Sequence, residues 1–293
     1  MPLTRKDVIS AFRHLLGREP ESEETIAHHM RLGTVEDLRR TLIRSDEFAS
    51  AYPTVLGSEK FEAVYKRVRT RDTGQSGFKE ADFGYVGLER PEAEDDFGRL
   101  FDGLFAPRLS RNKDREPGFR RIFEALDAME PRRPLIIETG CLRMPGNWEG
   151  DGQSTFLFDA YARINGGLVL SIDLNIDSID TARRACSGHT QLIHNDSVMA
   201  LSALAGLLEG QRVDLLYLDS FDLDLADPLP SATHHIMELA AVRPLVKRGT
   251  LVCVDDYRVD GIVGGKGAIV DKYMESIDAR VLHDGYQKMW QIG

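Results

Sequence analysis

The sequence predicts an α/β fold, in which a doubly wound, mostly parallel sheet of seven strands follows a small all-helical domain. Over residues 119–293, short apolar runs alternate with helical segments, and the connections are long enough for right-handed crossovers between parallel strands. Over residues 5–50, apolar residues recur at helical spacing instead. The predicted organisation is a helical domain at 1–54, a linker or lid at 55–118 and an α/β domain at 119–293.

The composition is that of a globular protein that coats neither nucleic acid nor anionic lipid. The net charge is −10 at pH 7, which is the wrong sign for a polyanion partner. The three cysteines are far apart and form no CxxC pair, so we expect neither a zinc site nor a disulfide framework. A signal-peptide core and a membrane-spanning apolar run are also missing, and we expect a reduced, cytoplasmic protein.

The predicted N-terminal domain consists of short helices. Val8, Phe12 and Leu15 form an apolar stripe at helical spacing, and a second helix covers residues 22–32. Thr34, followed three residues later by an acid, has the pattern of an N-cap for a third helix.

Part of this region has a family likeness. The segments 12–20 and 45–48 resemble the small helical domain of phycobilisome linkers, which is often appended to bacterial enzymes that act on surface polysaccharides. The resemblance implies that the domain docks other polysaccharide-assembly proteins. A generic helical adaptor is the alternative.

Residues 55–118 form a polar stretch broken by glycines, with an acidic run at 90–96, which is typical of a linker or lid. Its aromatic residues argue against disorder. We expect this segment to lie over the active-site edge of the α/β domain.

Seven apolar runs predict the strands of the sheet. Helical segments separate the first six runs. The last two are joined only by Asp284-Gly285, a hairpin signal, so the final strand should be antiparallel. The runs are 134–138, 168–173, 190–194, 213–219, 249–255, 279–283 and 286–292.

Acidic residues end the first five of these runs. They are Glu138, Asp173, Asp196, Asp219 and Asp255. In a doubly wound sheet, ligands bind beyond the carboxyl ends of the strands, where these residues should gather. Five acids along one edge repel one another unless ligand donors or cations offset the charge. Helix capping explains one or two of them but not five in succession.

The first run continues into a glycine-containing motif, Glu138-Thr139-Gly140-Cys141-Leu142-Arg143, followed by Gly150-Asp151-Gly152-Gln153-Ser154-Thr155. The motif is not the dinucleotide pattern GxGxxG, and no phosphate-binding lysine follows it. Over about residues 130–293, the chain resembles class I, Rossmann-like S-adenosylmethionine-dependent methyltransferases. It is most similar in motif to cation-dependent O-methyltransferases related to macrocin O-methyltransferase and to capsular-polysaccharide methyltransferases.

This resemblance implies an S-adenosylmethionine site. Glu138 and the backbone of Gly140 would hold the methionine part of the cofactor, and Asp173 would accept hydrogen bonds from the ribose hydroxyls. Asp196 and Ser197 would lie beside the adenine, with capping of the following helix as the alternative. The motif adds Arg143, Gly152 and Ser154 to the cofactor-binding residues.

The fourth and fifth runs place three carboxylates at adjacent strand ends, Asp219, Asp255 and Asp256. Hard divalent cations such as Mg²⁺ prefer several oxygen ligands. The positions match the metal ligands of catechol-type and macrocin-type O-methyltransferases, so the resemblance implies a magnesium site. A metal-independent methyltransferase, in which Asp219 merely ends a strand, is the alternative.

Two residues are candidates for the general base. The related enzymes often carry an aspartate two residues after the first metal ligand, but here that position is Phe221, and the nearest acid is Asp222. His234 could take a hydroxyl proton or orient the substrate, and a surface or capping role is its alternative.

The glycine-rich segment 261–267 has the pattern of a mobile loop. Lys266 within it either binds an acidic substrate such as a uronic acid or is solvated, and solvation is the simpler expectation.

The predicted activity is methyl transfer from S-adenosylmethionine to a hydroxyl, with magnesium as the second cofactor. The acceptor indicated by the resemblance is a sugar of a bacterial surface polysaccharide, and a small natural product is the alternative. A nicotinamide-dependent oxidoreductase and a non-catalytic cofactor-binding protein are the other classes considered. Assembly as a homo-oligomer stays open.

Overall fold

The computed structural model describes residues 3–43 except 17, residues 45, 47 and 68, residues 80–129 except 93, 94, 112 and 113, and residues 133–293. The chain divides into two compact units, residues 1–60 and 61–293. Much of the predicted linker at 55–118 and half of the segment 45–48 lie outside the described residues. The predicted domain boundaries therefore stay predictions.

The described residues of the first unit form the helices α1 (Arg5–Leu16), α2 (Glu23–Met30) and α3 (Val35–Ile43). The hydroxyl of Ser22 caps α2 by accepting a hydrogen bond from the amide of Thr25. Thr34 caps the start of α3 in the same way, since its Oγ1 accepts from the Asp37 amide at 3.1 Å. The buried side chains between these helices are Val8, Phe12, Leu16, Ile26, Leu38 and Leu42.

The second unit is built on a seven-stranded, mostly parallel sheet, as predicted. Its strands are β1 (Leu135–Thr139), β2 (Leu168–Asp173), β3 (Thr190–His194), β4 (Leu215–Leu218), β5 (Leu251–Val254), β8 (Arg280–Asp284) and β9 (Lys288–Gln291). A separate short hairpin contains β6 (Arg258–Val259) and β7 (Ile262–Val263). The strand order in the sheet is β3-β2-β1-β4-β5-β9-β8. β9 runs antiparallel to β5 and to β8, which confirms the predicted terminal hairpin.

Helices cover the sheet. They are α4 (Phe97–Leu100), α5 (Ala106–Leu109), α6 (Glu116–Asp127), α7 (Ser154–Asn165), α8 (Ile176–Ala185), α9 (Ser197–Leu207), α10 (Leu229–Val242) and α11 (Ala268–Ser276). A π-helical turn, Phe101–Phe105, joins α4 to α5, and 3₁₀ turns lie at Arg243–Leu245 and Gly265–Gly267. Among the helices that the structure describes, none combines the length and apolar composition that a bilayer crossing requires.

Two hydrophobic cores lie on opposite faces of the sheet, because successive strand residues point to alternate sides. On β1, Ile136 belongs to the core beneath α6, α7 and α8, whereas Leu135 and Ile137 belong to the core beneath α9, α10 and α11. The first core also takes in aromatic side chains of the described part of segment 80–109, including Phe83 and Phe105. This segment thus contributes buried side chains to the α/β unit.

A candidate ligand-binding cleft at the carboxyl ends of the strands

A cleft opens where β1, β2, β4 and β5 end. The strand order reverses between β1 and β4, which makes this edge the topological switch point of the sheet. Six of the predicted site residues line the cleft, namely Gly140, Arg143, Ser154, Asp173, Asp219 and Asp256. Arg115, Cys141, Leu142, Gly150, Asp151, Gln153, Ser220 and Lys266 complete its wall.

Gly140 makes the turn that brings the chain from β1 to the cleft. Its φ is +81°, and a Cβ there would lie 2.5 Å from the carbonyl oxygen of Asp219. Its amide donates to the carbonyl of Ile172 at 2.8 Å. A side chain would therefore clash with the backbone after β4 as well as strain the turn.

Glu138 lies beneath the cleft and does not line it. The carboxylate is completely buried and accepts hydrogen bonds from the hydroxyls of Ser154, at 2.6 Å, and Ser171, at 2.5 Å. Burial raises the pKa of Glu138 to about 7, although the two hydroxyls favour the charged form. Because Ser154 is the first residue of α7, Glu138 fixes the helix terminus that faces the cleft.

The loop between β1 and α7 is closed by its own hydrogen bonds. Gln153, in the left-handed region at φ +58°, donates from its side chain to the carbonyl of Met144 and accepts from the amide of Gly146. Gly152 has φ +69°, and a Cβ there would lie 2.8 Å from Cδ of Arg115. Gly152 thus leaves room for Arg115 instead of lining the cleft itself.

Asp173 ties the ends of β1 and β2 together while lining the cleft. One carboxylate oxygen accepts from the Cys141 amide at 2.9 Å, and the other accepts from the Asn175 amide at 2.7 Å. The carboxylate keeps further lone pairs that can accept from a ligand.

Asp196 and Ser197 lie outside the lining of the cleft. Asp196 is the N-cap of α9, since its Oδ1 accepts from the Met199 amide at 2.9 Å, as the capping alternative predicts. The hydroxyl of Ser197 is 2.9 Å from Nε2 of His234.

The carboxylates of Asp219, Asp255 and Asp256 converge as the sequence predicts, and we call them the acid cluster. One oxygen from each lies within 4.8 Å of the others. Cationic side chains already lie among them. Lys266 donates a hydrogen bond to Asp219 and its Nζ lies 3.0 Å from Oδ2 of Asp256, while Nη2 of Arg115 lies 3.5 Å from Oδ2 of Asp255.

The expectation that Lys266 is solvated is wrong. Only 2% of Lys266 is exposed, because the 3₁₀ turn Gly265–Gly267 folds against Asp256 and directs the side chain inward. Gly265, at φ +40°, passes so close to Asp256 that a Cβ would lie 1.9 Å from its carbonyl oxygen. The adjacent glycines are the sequence signal for this close approach, and the mobile-loop interpretation overlooked it.

Charge pairing sets the protonation of the cluster. Burial alone would lower the pKa of Lys266, but the three carboxylates raise it above its ordinary value, so the ammonium stays charged. Burial alone would raise the pKa of Asp256, but the Lys266 ammonium and the Tyr286 hydroxyl lower it to about 2. Burial and the neighbouring carboxylates raise the pKa of Asp219, and the ammonium opposes that rise.

Arg115 and Tyr286 support the acid cluster from outside, and sequence reasoning missed both. The Tyr286 hydroxyl donates to Oδ1 of Asp256 and accepts from Nη2 of Arg115 at 3.1 Å. The Arg115 guanidinium lies 4.6 Å from the centroid of the Tyr286 ring. Arg115 falls in the predicted linker and Tyr286 in the terminal hairpin, so no local pattern connects them.

Neither predicted base lines the cleft. Asp222 is exposed and accepts a hydrogen bond at 2.8 Å from Arg143, a lining residue, so it lies at the mouth. His234 lies between Ser197 and Glu238, with its Nε2 3.4 Å from the Glu238 carboxylate. Burial alone would lower the pKa of His234, but the hydrogen bond and charge of Glu238 raise it above its ordinary value.

Among the known proteins compared with this chain, only solved structures are similar to it. No protein-family model matches the chain. No curated protein matches its sequence. The solved structures that it resembles include the MycE methyltransferase of the mycinamycin biosynthetic pathway, in complex with Mg and SAH, at 14% identity over 70% of this chain and 55% of that one, with a TM-score of 0.45. This chain therefore spans about half the length of MycE.

Two further solved structures are methyltransferases by name. The calicheamicin methyltransferase CalS11 is 14% identical over 75% of this chain and 100% of that one, with a TM-score of 0.40. A methyltransferase from Geobacter sulfurreducens is 15% identical over 72% of this chain and 94% of that one, with a TM-score of 0.38.

Proposed function

We propose that this protein is an S-adenosylmethionine-dependent methyltransferase that transfers the methyl group to a hydroxyl oxygen. The observation that carries the proposal is the composition of the cleft at the switch point of the sheet. There the Gly140 turn, the N-terminus of α7 and the Asp173 carboxylate face one space. The glycine turn lets a ligand approach the backbone, the helix N-terminus offers amide donors for a carboxylate, and Asp173 can accept hydrogen bonds from hydroxyl groups. This combination suits a ligand in which an amino acid is joined to a ribonucleoside.

The cofactor would extend along the cleft from α7 towards β3. Its methionine part would lie against the Gly140 backbone and the start of α7, with the Arg143 guanidinium and the Ser154 backbone amide as donors to the carboxylate. Glu138 would not contact the cofactor but would hold Ser154 in place. Gly152 would not contact it either, but leaves room for the Arg115 side chain. Asp173 would accept from the ribose hydroxyls, and the adenine would lie towards Asp196 and Ser197.

Magnesium does not fit the acid cluster in the arrangement described. Mg²⁺ requires oxygen ligands at about 2.0–2.1 Å. The Lys266 ammonium already contacts Oδ1 of Asp219 and Oδ2 of Asp256, so an ion bound by these two oxygens would overlap with it. The three carboxylates are metal ligands of the right kind, but the ammonium would have to leave first.

The reaction is an in-line displacement. The acceptor oxygen attacks the methyl carbon, the bond from carbon to the sulfonium sulfur breaks, and S-adenosylhomocysteine leaves while a base takes the hydroxyl proton. Much of the rate would come from holding the two reactants in line. Of the two candidate bases, Asp222 is favoured over His234, because its partner Arg143 lines the cleft.

The acceptor would be a polar, hydroxyl-rich molecule. The cleft wall is dominated by charged and polar side chains, among them Asp151, Asp219, Ser220 and Lys266. A sugar of a bacterial surface polysaccharide is the acceptor we propose, with a sugar-bearing natural product as the alternative.

Calorimetry tests the cofactor directly. We expect the purified chain to bind S-adenosylhomocysteine with a micromolar dissociation constant and to bind NADH no more than weakly. Asp173→Asn keeps an oxygen for the Cys141 amide but loses the ribose acceptor, and should weaken binding by about tenfold or more. The matched control is Asp177→Asn on the exposed first turn of α8, which should bind as the wild type does. Tight NADH binding with none of S-adenosylhomocysteine would refute the proposal.

A further inference from the structure

We propose that the Lys266 ammonium is the resident cation of the acid cluster and that the protein transfers methyl groups without a divalent metal ion. The claim about methyl transfer rests on the proposed function. The claim that the ammonium occupies the acid cluster does not, because it concerns only side chains of this chain.

The Lys266 ammonium occupies space between two carboxylates of the acid cluster. Nζ of Lys266 lies 3.0 Å from Asp256 and within hydrogen-bond distance of Asp219, and both carboxylates line the cleft. A magnesium ion that bridged the same two oxygens, Oδ1 of Asp219 and Oδ2 of Asp256, would have to lie within contact distance of that nitrogen. The ion and the ammonium therefore exclude each other at these two oxygens.

Backbone hydrogen bonds hold the turn that carries Lys266. The Lys266 amide donates to the carbonyl of Asp256 at 3.3 Å, and the Gly264 amide donates to the carbonyl of Tyr257 at 2.9 Å. The Gly267 amide closes the turn on the carbonyl of Gly264 at 2.7 Å. The turn is thus bound to the segment that carries Asp256, so a loop movement that withdrew the lysine would break these hydrogen bonds.

The charge of the cluster is also balanced by side chains of the protein. Lys266 and Arg115 bring two positive charges to the three carboxyl groups. An ammonium as deeply buried as Lys266 is stable only when carboxylates surround it. If a metal ion displaced the Lys266 ammonium, the ammonium would stay buried without a carboxylate partner or would have to move out to solvent.

The position of the ammonium gives it a role in the reaction. Within the part of the chain that the structure describes, Asp219 and Asp256 account for two of its three N–H groups. The third is available to a ligand in the cleft. It would donate to the acceptor oxygen, orient it, and stabilise the negative charge that develops as the hydroxyl proton leaves.

Manganese titration followed by electron paramagnetic resonance tests the occupancy without any turnover. The wild-type chain should bind no Mn²⁺ at concentrations up to about 1 mM, with or without S-adenosylhomocysteine. Lys266→Met frees the three carboxylates and should lower the dissociation constant for Mn²⁺ by more than about tenfold. Adding Asp256→Asn to that variant should abolish the gain.

The matched control is Lys272→Met, which removes the same charge from an exposed position on α11 and should leave Mn²⁺ binding unchanged. Stoichiometric Mn²⁺ binding by the wild type overturns the inference, as does a folded Lys266→Met variant that gains none. If Lys266→Met does not fold, the Mn²⁺ titration of the wild type by itself tests whether the cluster binds a metal ion. Failure of the proposed function would appear separately, as absent S-adenosylhomocysteine binding.

Discussion

At Gly140 the cleft leaves no room for a side chain. Its left-handed φ and the carbonyl of Asp219, 2.5 Å from any added Cβ, act together against a side chain. We expect Gly140→Ala to lower the free energy of unfolding by about 3 kcal/mol and to weaken S-adenosylhomocysteine binding. Urea unfolding and calorimetry would measure the two effects.

Gly206→Ala is the matched control for that substitution. Gly206 lies on the exposed side of α9, and an added Cβ would have no neighbour within 4 Å among the described residues. Alanine there should stabilise the protein by about 0.5–1 kcal/mol, because it restricts the unfolded chain and favours the helix. Equal destabilisation by both substitutions would contradict the account of Gly140.

Glu138 should make stability depend on pH. Its pKa is about 7 in the folded state and near 4.5 when the chain is unfolded, so the folded state binds the proton more tightly. The resulting stability is complete below pH 4.5 and is lost as the pH rises through 7. In wild type relative to Glu138→Gln, the free energy of unfolding should fall by up to about 3 kcal/mol between these values.

Urea unfolding of both proteins at pH 5 and pH 7.5 isolates this effect, since the other titrating groups are common to the two. The amide of the variant keeps a hydrogen bond with each of Ser154 and Ser171 if one hydroxyl turns to accept. A constant difference between the proteins at the two pH values would show that Glu138 is not protonated on folding.

Among the structural elements, the 3₁₀ turn Gly265–Gly267 determines what fills the acid cluster. Gly265→Ala would place a Cβ 1.9 Å from the carbonyl oxygen of Asp256, so the turn has to move. We expect a loss of about 3 kcal/mol in the free energy of unfolding. Gly261→Ala, which also has a positive φ but no neighbour within 4 Å among the described residues, should cost only about 1 kcal/mol. Similar losses in the two variants would mean that the turn is not held against Asp256.

The elements themselves follow largely from local sequence. The sheet strands were predictable because both faces of the sheet are covered, which requires nearly continuous apolar runs such as Leu135–Ile137. The terminal hairpin was predictable from Asp284-Gly285. The inward turn at Lys266 was not, because adjacent glycines indicate either a mobile loop or a close backbone approach, and only tertiary contact decides between them.

At the scale of the whole molecule, the cleft joins parts of the chain that are far apart in sequence. Arg115 contacts Asp255 and Tyr286 across separations of 140 and 171 residues. The convergence of the strand-end acids was predictable, because parallel strands end at one edge. The cations that pair with them were not, since Arg115 and Lys266 come from segments with no strand pattern.

A crystal structure of the protein grown with S-adenosylhomocysteine and magnesium chloride tests the central claim most directly. We predict that the nucleoside lies in the cleft with its ribose hydroxyls at Asp173, and that Nζ of Lys266, not a metal ion, lies between Asp219 and Asp256. S-adenosylhomocysteine bound elsewhere, or absent from the cleft at saturating concentration, would contradict the claim that this edge of the sheet is a methyl-transfer site.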